Sequence, residues 1–200
     1  MKKILITGSL GLVGSEAVDF FKKKDWKVVG VDNNMRAHFF DLPLYNIQPT
    51  TEPIDIRNEE HINLLFQRHK FDAVCHVAAQ PSHDYSKDHA IEDFTINALG
   101  TLILLEATRK YCPEAVFVHI STDKVYGENM KAEDLYENIT RYDTWKIFDE
   151  KLSLDNTTRS LFGCSKTAAD IYVQEYGNYF GMRTVCFRCG CITGRRHKGA

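Results

Sequence analysis

The residues best suited to proton-transfer chemistry follow an apolar segment in the second half of the chain. Thr122, Asp123 and Tyr126 supply a hydroxyl, a carboxyl and a phenol. Farther along, Lys166 supplies an ammonium group, and Phe162 stands one helical turn before it. Groups of these types act as general acids and bases when they lie within hydrogen-bond distance of a reacting hydroxyl or carbonyl. The sequence therefore predicts a catalytic site at these positions, although Phe162 itself has no ionisable group.

A glycine-rich segment at the start of the chain predicts a dinucleotide site. Gly8, Gly11 and Gly14 lie between an apolar strand (2–6) and a segment with helical spacing of apolar residues (12–24). The first glycine permits a tight turn, the second lets the backbone approach a pyrophosphate, and the third lets helix and strand pack closely. The N–H groups and the dipole of the helix N-terminus then favour the anion.

Asp32 ends a second predicted strand (26–31) and indicates which dinucleotide the site prefers. An acidic residue about 20 positions beyond the glycines accepts hydrogen bonds from the ribose 2′-OH and repels a 2′-phosphate. This residue favours NAD as the cofactor, while Arg36 lies close enough in sequence to leave NADP as an alternative.

Composition and charge narrow the class of protein. The 200 residues and the formal net charge of −2 favour a single domain over 1–200 and give no basic stripe for a nucleic acid. No apolar run approaches the roughly 18 residues of a membrane span, and we find no signal peptide. Six cysteines without metal-ligand spacing indicate reduced thiols in the cytoplasm. Cys189 and Cys191 lack the second ligand pair of a structural zinc site, so we predict no metal.

Strand and helix patterns alternate along the chain, which predicts a doubly wound α/β fold with a parallel sheet. Beyond the elements already named, the predicted strands are 54–56, 73–77, 116–120 and 184–188, and the predicted helices are 58–69, 90–110 and 165–180. The segment 128–160 is polar and is predicted to be an irregular loop. A connection of that length inside a compact domain is usually functional, and this one links the two groups of catalytic candidates.

Together these segments resemble the extended short-chain dehydrogenase/reductase family, which includes the NAD-dependent nucleotide-sugar epimerases and dehydratases. The resemblance covers essentially the whole chain. The segments that carry it are 7–14, 31–33, 55–58, 76–79, 96–101, 121–127 and 187–188. Within the family, the segments 139–142, 148–150 and 161–170 are most similar to epimerases of CDP-linked deoxyhexoses.

The resemblance implies a nucleotide-sugar substrate and a tightly held NAD that takes a hydride from a sugar carbon and returns it to the other face. By the family pattern, Thr122 hydrogen-bonds the reacting oxygen and Lys166 binds the nicotinamide ribose. The other cofactor-binding positions are Gly8, Gly11 and Gly14 for the pyrophosphate, Asp32 for the adenosine ribose with Asn33 beside it, Asp55 and Ile56 for the adenine, and Ala78 and Ala79 for the middle of the cofactor.

Phe162 departs from the family pattern, in which a tyrosine four residues before the lysine takes the hydroxyl proton. Three interpretations remain. Another group takes the proton, namely Tyr126, Asp123, Lys166 or a water; the protein binds NAD and a nucleotide sugar without turnover; or the site has been disabled.

Two further features keep alternatives to an epimerase open. Thr122 and Asp123 also resemble the 4,6-dehydratases, where the aspartate acts as an acid, but Lys124 stands where the dTDP-glucose enzymes have a glutamate base. Family members carry further segments, beyond the equivalent of residue 200, that build the substrate lobe. We therefore expect that lobe to be absent from this chain and retain a non-catalytic NAD-binding module as a second alternative.

The resemblance also implies a homodimer through the helices at 90–110 and 165–180. The apolar candidates for that interface are Leu104, Leu105, Ile171 and Val173. Core packing would explain the same apolar stripe, and the two explanations predict different exposure of these side chains.

Overall fold

Short apolar segments form the central sheet. The computed structural model describes residues 1–36, 50–129, 134–145 and 149–194. Its strands are β1 (Lys3–Thr7), β2 (Lys27–Val31), β3 (Thr51–Glu52), β4 (Ala73–His76), β5 (Val116–Thr122), β6 (Leu135–Glu137), β7 (Tyr142–Thr144) and β8 (Arg183–Cys189). All except β6 and β7 join one parallel sheet in the order β3-β2-β1-β4-β5-β8.

Helices connect these strands and cover both faces of the sheet. They are α1 (Leu12–Lys23), α2 (Glu59–Arg68), α3 (His83–Asp88), α4 (Ala90–Phe94), α5 (Gly100–Tyr111) and α6 (Leu161–Phe180), with a π-helical turn at Thr95–Leu99 and 3₁₀ turns at Asp123–Asn129. Under α1 lies a small core of Ile4, Ile6, Val18 and Val28. The larger core on the opposite face includes Leu5, Val74 and Phe117 of the sheet with Phe66, Leu104 and Val173 of α2, α5 and α6. The predicted doubly wound parallel sheet is confirmed.

The short edge strand lies at Thr51–Glu52, so the prediction of a strand at 54–56 is wrong. Ile54 and Ile56 are both buried, which explains the alternating pattern. Asp55 between them closes a turn, because its carboxylate accepts the backbone N–H of Arg57 at 2.9 Å. A side chain that satisfies its neighbouring backbone in this way competes with strand pairing.

The helix predicted at 90–110 is present, but a π-helical turn interrupts its α-helical pattern. Thr95 and Gly100, at the junctions, keep right-handed helical dihedral angles, so the chain continues without a break to Tyr111. Such turns often occur at functional sites. This one presents Asn97, whose side chain bonds the backbone of Gln80 in both directions and Ser165 Oγ at 3.0 Å. Asn97 thus joins the loop after β4 to α6.

Helix α6 begins at Leu161, earlier than the predicted start at Ser165. Ser160 caps it, because its hydroxyl accepts the N–H of Gly163 at 3.1 Å. Gly181, in the left-handed conformation, ends it. The earlier start places both Phe162 and Lys166 inside one helix, separated by one turn.

The connection at 128–160 contains structure that its sequence does not indicate. Strands β6 and β7 form an antiparallel hairpin, and the rings of Tyr136 and Trp145 lie 4.1 Å apart between centroids. Residues 37–49, 130–133, 146–148 and 195–200 lie outside the described residues, and these include Phe148 of the segment that resembles the CDP-sugar epimerases.

Most of the residues that were predicted to form a dimer interface are instead buried in the core. Leu104, Leu105 and Val173 are each 0% exposed, so their assignment to an interface is wrong. They pack on the sheet in the larger core. Ile171 remains 46% exposed. The homodimer itself stays a prediction.

Candidate active site at the carboxyl edge of the sheet

The glycine turn between β1 and α1 is shaped by close backbone contacts. Gly8 has φ +65°, and a Cβ there would lie 2.8 Å from the backbone of Ala78. A Cβ on Gly14 would lie 2.0 Å from Gly8 O, so only glycine allows α1 to approach the turn. A Cβ on Gly11 would meet only Gly8 O, at 3.2 Å. The result is a cradle of backbone N–H groups at the N-terminus of α1, which suits a pyrophosphate.

Asp32, at the end of β2, is fixed beside this turn. Its two carboxylate oxygens accept the N–H of Leu10 at 2.9 Å and the N–H of Asn34 at 2.7 Å. Burial raises the pKa of Asp32, and these two hydrogen bonds oppose the rise. Each oxygen retains a lone pair that could accept a ribose hydroxyl.

Asp55 and Asn33 lie side by side, as their expected roles around an adenosine would require. Asn33 Nδ2 donates to Asp55 Oδ2 at 2.9 Å, and the Arg57 guanidinium donates to the same oxygen at 2.7 Å. Burial alone would raise the pKa of Asp55, but the hydrogen bonds from Arg57 outweigh it and lower the pKa to about 2. Ile56 is buried, and a Cβ on Gly100 would lie 2.6 Å from its Cδ1.

A chain of hydrogen bonds crosses the edge of the sheet from β1 to α5. Thr7 Oγ1 accepts the backbone N–H groups of residues 77–78, so its own hydrogen goes to His76 Nδ1 at 2.8 Å. His76 is therefore the neutral tautomer with a hydrogen on Nε2, which it donates to Thr101 Oγ1 at 2.8 Å. Thr101 in turn donates to Asn97 O at 2.6 Å. Thr7 thus sets the position of the loop that carries Ala78.

Lys166 of α6 is buried, and its side chain reaches the end of β5. Its Nζ donates to Ile120 O at 2.8 Å and lies 3.3 Å from His119 Nε2. Burial lowers the pKa of Lys166 to about 8. Burial, with the nearby lysine charge, also lowers the pKa of His76 to about 3 and that of His119 well below its usual value. His119 accordingly accepts the lysine hydrogen, and its Nδ1 has no partner among the described residues.

Thr122 and Asp123 lie where β5 ends and the 3₁₀ turns begin. Thr122 Oγ1 donates to Asp123 Oδ1 at 3.1 Å and accepts the N–H of Lys124 at 3.2 Å. The second oxygen of Asp123 lies 3.9 Å from Lys124 Nζ. Oδ1 of Asp123 therefore accepts a hydrogen bond, while Oδ2 faces the Lys124 ammonium at ion-pair distance.

The hydroxyl of Tyr126 binds Arg188 on β8. Its hydroxyl accepts a hydrogen from the Arg188 guanidinium at 2.8 Å, and that guanidinium lies over its ring at 4.9 Å. Both side chains line a cleft of about 570 Å³ along β8, which Thr122, Phe162 and Lys166 do not line. The side chain of Tyr126 is therefore tied to β8, and its catalytic role stays a prediction.

Phe162 is buried at the start of α6 and contacts α3. Its N–H donates to Ser86 Oγ at 3.2 Å. The imidazole of His83 packs edge-on against its ring, with 4.8 Å between centroids. His83 Nδ1 lies 2.7 Å from Ser160 Oγ. Sequence reasoning did not identify His83, because no local pattern relates it to α6.

Sequence reasoning also missed the charged pair beneath this site. Asp170, 0% exposed, binds the Arg188 guanidinium at 2.7 Å and accepts the hydroxyl of Ser121 at 2.6 Å. Asp170 follows Lys166 by one helical turn, so both lie on the buried face of α6. An acidic residue on a face that is otherwise apolar was a signal of burial with a partner, although not of which partner.

Among the residues that the structure describes, we find no metal centre and no membrane-spanning helix. No group of three or more histidine, cysteine or acidic side chains among those residues could hold a metal ion. None of the described helices is both long and apolar enough to cross a bilayer. Ala78, partly buried after β4, stands beside the glycine turn, and Ala79 follows it with similar burial.

Comparisons with known proteins agree with this geometry. Residues 4–200 match the profile of the NAD dependent epimerase/dehydratase family. The chain is 36% identical over 199 residues to CDP-paratose 2-epimerase of Salmonella typhi, covering 97% of this chain and 58% of that protein. It is 30% identical to dTDP-glucose 4,6-dehydratase of Escherichia coli, covering 98% and 56%. The solved UDP-glucose 4-epimerase of Thermus thermophilus in complex with NAD is similar with a TM-score of 0.72 and 26% identity, covering 93% and 54%.

The chain thus spans a little more than half the length of these relatives. The family profile nevertheless matches nearly all of it, so the resemblance stated from the motifs is confirmed, and so is NAD as the family's cofactor. The chain belongs to the NAD-dependent epimerase/dehydratase family.

Proposed function

We propose that the protein is a nucleotide-sugar epimerase that acts on a CDP-linked deoxyhexose by transient oxidation and re-reduction of one sugar carbon. The similarity to CDP-paratose 2-epimerase supports this substrate class. Residues of β5 and α6 would act on the sugar, and the glycine turn would hold the cofactor.

The turn between β1 and α1 fits the cofactor because glycine at position 14 lets the N-terminus of α1 approach Gly8, so that backbone N–H groups can receive a pyrophosphate. Gly8, Gly11 and Gly14 would hold the pyrophosphate, and Asp32 with Asn33 the adenosine ribose. Asp55 and Ile56 would border the adenine, while Ala78 and Ala79 would line the middle of the cofactor. NAD, when bound, supplies a reversible acceptor for the hydride of the sugar carbon.

Thr122 and Lys166 would handle the reacting oxygen and its surroundings. Thr122 can redirect its hydroxyl hydrogen from Asp123 to the sugar oxygen, which orients that oxygen. Lys166 Nζ keeps a third hydrogen beyond its contacts with Ile120 O and His119, and this hydrogen can bond a ribose hydroxyl. Its positive charge also stabilises negative charge that develops nearby.

The contacts of Asp123 bear on whether the protein is an epimerase or a dehydratase. A dehydratase uses this aspartate to donate a proton to the departing water, yet here one oxygen accepts a hydrogen from Thr122 and the other faces the Lys124 ammonium. The identity of 36% to CDP-paratose 2-epimerase, against 30% to the dehydratase, supports the epimerase. The similarity to the dTDP-glucose 4,6-dehydratases keeps the dehydratase as the second candidate.

An assay on two substrates tests the proposal. The full-length protein, loaded with NAD, should convert CDP-paratose to CDP-tyvelose and leave CDP-glucose unchanged, with products identified by NMR spectroscopy. Thr122→Val should lower kcat by about 10²-fold, since it removes one donor to the reacting oxygen. Thr108→Val is the matched control, because its hydroxyl donates to Leu104 O inside α5 and lies near the opposite edge of the sheet.

Other outcomes would identify the alternatives. Formation of a 4-keto-6-deoxy sugar from CDP-glucose would establish the dehydratase instead. Binding of NAD with no conversion of either nucleotide sugar, and none after Phe162→Tyr, would establish the non-catalytic module.

A further inference from the structure

The imidazole of His83 lies beside residue 162, the position at which the family pattern has a proton-transferring tyrosine. Phe162 has no such group, and His83 is the titratable side chain that packs on its ring, with 4.8 Å between centroids. His83 follows the loop after β4, and Phe162 lies in the first turn of α6, which follows β5. Because β4 and β5 are paired neighbours, both residues lie at the carboxyl edge of the sheet that carries Thr122.

Two hydrogen-bonded connections hold His83 against α6. Ser160 Oγ, which caps α6, lies 2.7 Å from His83 Nδ1. Ser86 Oγ donates to His83 O at 2.7 Å and accepts the N–H of Phe162 at 3.2 Å. The backbone and the ring of His83 are thus both tied to the first turn of α6, as a residue with a fixed task would need.

In the tautomer of His83 that donates from Nδ1 to Ser160 Oγ, Nε2 is the basic nitrogen. One lone pair of Ser160 Oγ takes the N–H of Gly163 at 3.1 Å. The second can take a hydrogen from His83 Nδ1, which leaves Nε2 as an acceptor. Nε2 makes no hydrogen bond to the residues that the structure describes, and the His83 side chain is exposed. The same Nδ1 contact persists when the ring is protonated, so Ser160 supports both states.

The candidates for proton transfer that the sequence suggested each have another hydrogen-bond partner in this structure. The Tyr126 hydroxyl binds Arg188 along β8. Asp123 accepts the hydrogen of Thr122. Lys166 is buried, with Nζ on Ile120 O. His83 combines exposure, a ring nitrogen without a partner among the described residues, and contact with Phe162.

We propose that His83 is the residue that exchanges a proton with the sugar hydroxyl in this protein. The inference rests on the proposed epimerase function. In the forward step, the sugar carbon gives its hydride to the NAD that the family binds, the O–H electron pair becomes the second bond of the carbonyl, and the proton moves to His83 Nε2. In the return step, hydride re-enters from the other face, and the imidazolium returns the proton to oxygen.

Substitution and rescue in the full-length, NAD-loaded protein test this role with CDP-paratose as the probe. His83→Ala should lower kcat by about 10²-fold or more, the usual contribution of a positioned acid or base. Added imidazole should restore part of the loss, and Phe162→Tyr in the same background should restore most of it by supplying a phenol. His61→Ala, an exposed histidine on α2, is the control and should behave as the wild type. His83→Asn, which keeps a polar contact to Ser160 without a base, should be as impaired as the alanine variant.

A second readout does not depend on turnover. CDP-paratose should protect His83, and not His61, from carbethoxylation by diethyl pyrocarbonate, as mapped by mass spectrometry. Full activity of His83→Ala, or equal labelling with and without the nucleotide sugar, would overturn the assignment of His83 alone. An inactive wild type with an active Phe162→Tyr variant would overturn it too, yet leave the epimerase site standing. Inactivity of both proteins would overturn this proposal and the proposed function together.

Discussion

Two regions of the sheet's carboxyl edge, one around β1 and one around β5 and β8, are built by different means, and we call them the β1 end and the β5–β8 end. At the β1 end, close backbone contacts shape the site, because Gly14 and Gly8 meet at a distance that excludes any Cβ. At the β5–β8 end, buried charged side chains define it, with Asp170 bound to Arg188 and to Ser121. Close backbone packing therefore determines the β1 end, and buried charge pairs determine the β5–β8 end.

The difference implies different tolerance to change. A close backbone contact fails only when atoms are added, whereas a buried ion pair fails when either partner is removed, because the other charge is left without compensation. Variants at each end can therefore separate the two kinds of constraint.

The largest effect should come from Asp170→Ala. Arg188 would keep its contact with Tyr126 but lose its counter-charge in a buried setting, so the free energy of unfolding should fall by about 4 kcal/mol. Asp143→Ala is the control, since the Arg141–Asp143 pair, at 3.0 Å, is solvent-exposed on its arginine side. That variant should lose far less stability than Asp170→Ala, because a solvent-exposed pair contributes little. Equal losses in urea unfolding would show that burial does not distinguish the two pairs.

The two ends also differ in how well the sequence predicted them. The glycine spacing predicted the turn at Gly8 and Gly14 because its constraint acts over a few adjacent residues. The pairing of Asp170 with Arg188 joins a helix to the next strand, and that of Tyr126 with Arg188 spans a much longer stretch of chain, so no local pattern encodes it. The doubly wound sheet was predictable from periodicity, while the hairpin within 128–160 was not, because its strands are short and polar.

At the β1 end, Gly14→Ala should have a smaller effect on stability than Asp170→Ala. The new methyl group would overlap Gly8 O and force α1 away from the turn, which should lower the free energy of unfolding by about 3 kcal/mol and weaken NAD binding in calorimetry. Gly190→Ala meets nothing within 4 Å and should change stability by less than about 0.5 kcal/mol. Unimpaired NAD binding by Gly14→Ala would contradict the role of shape at this end.

The smallest effect should appear in the pH dependence of stability. Burial lowers the pKa of Lys166 from 10.5 to about 8, so between these values the unfolded chain binds the proton that the folded protein has released. Stability should therefore rise with pH in this window, by about 2 kcal/mol between about pH 7 and 9.5 relative to Lys166→Met. Urea unfolding of the NAD-free proteins measures the difference. Parallel stability curves for the two proteins would show that burial does not penalise the charge.

The hydrogen bonds from Thr7 through His76 and Thr101 to Asn97 allow only one placement of each hydrogen. Every dipole in the series therefore has a fixed sense. Because the pKa of His76 is lowered to about 3, its ring stays uncharged near neutral pH and the series cannot reverse by taking up a proton. Such an array is electrically preorganised: when charge develops on a neighbouring group, the array has no dipoles to reorient, and this costs the reaction nothing.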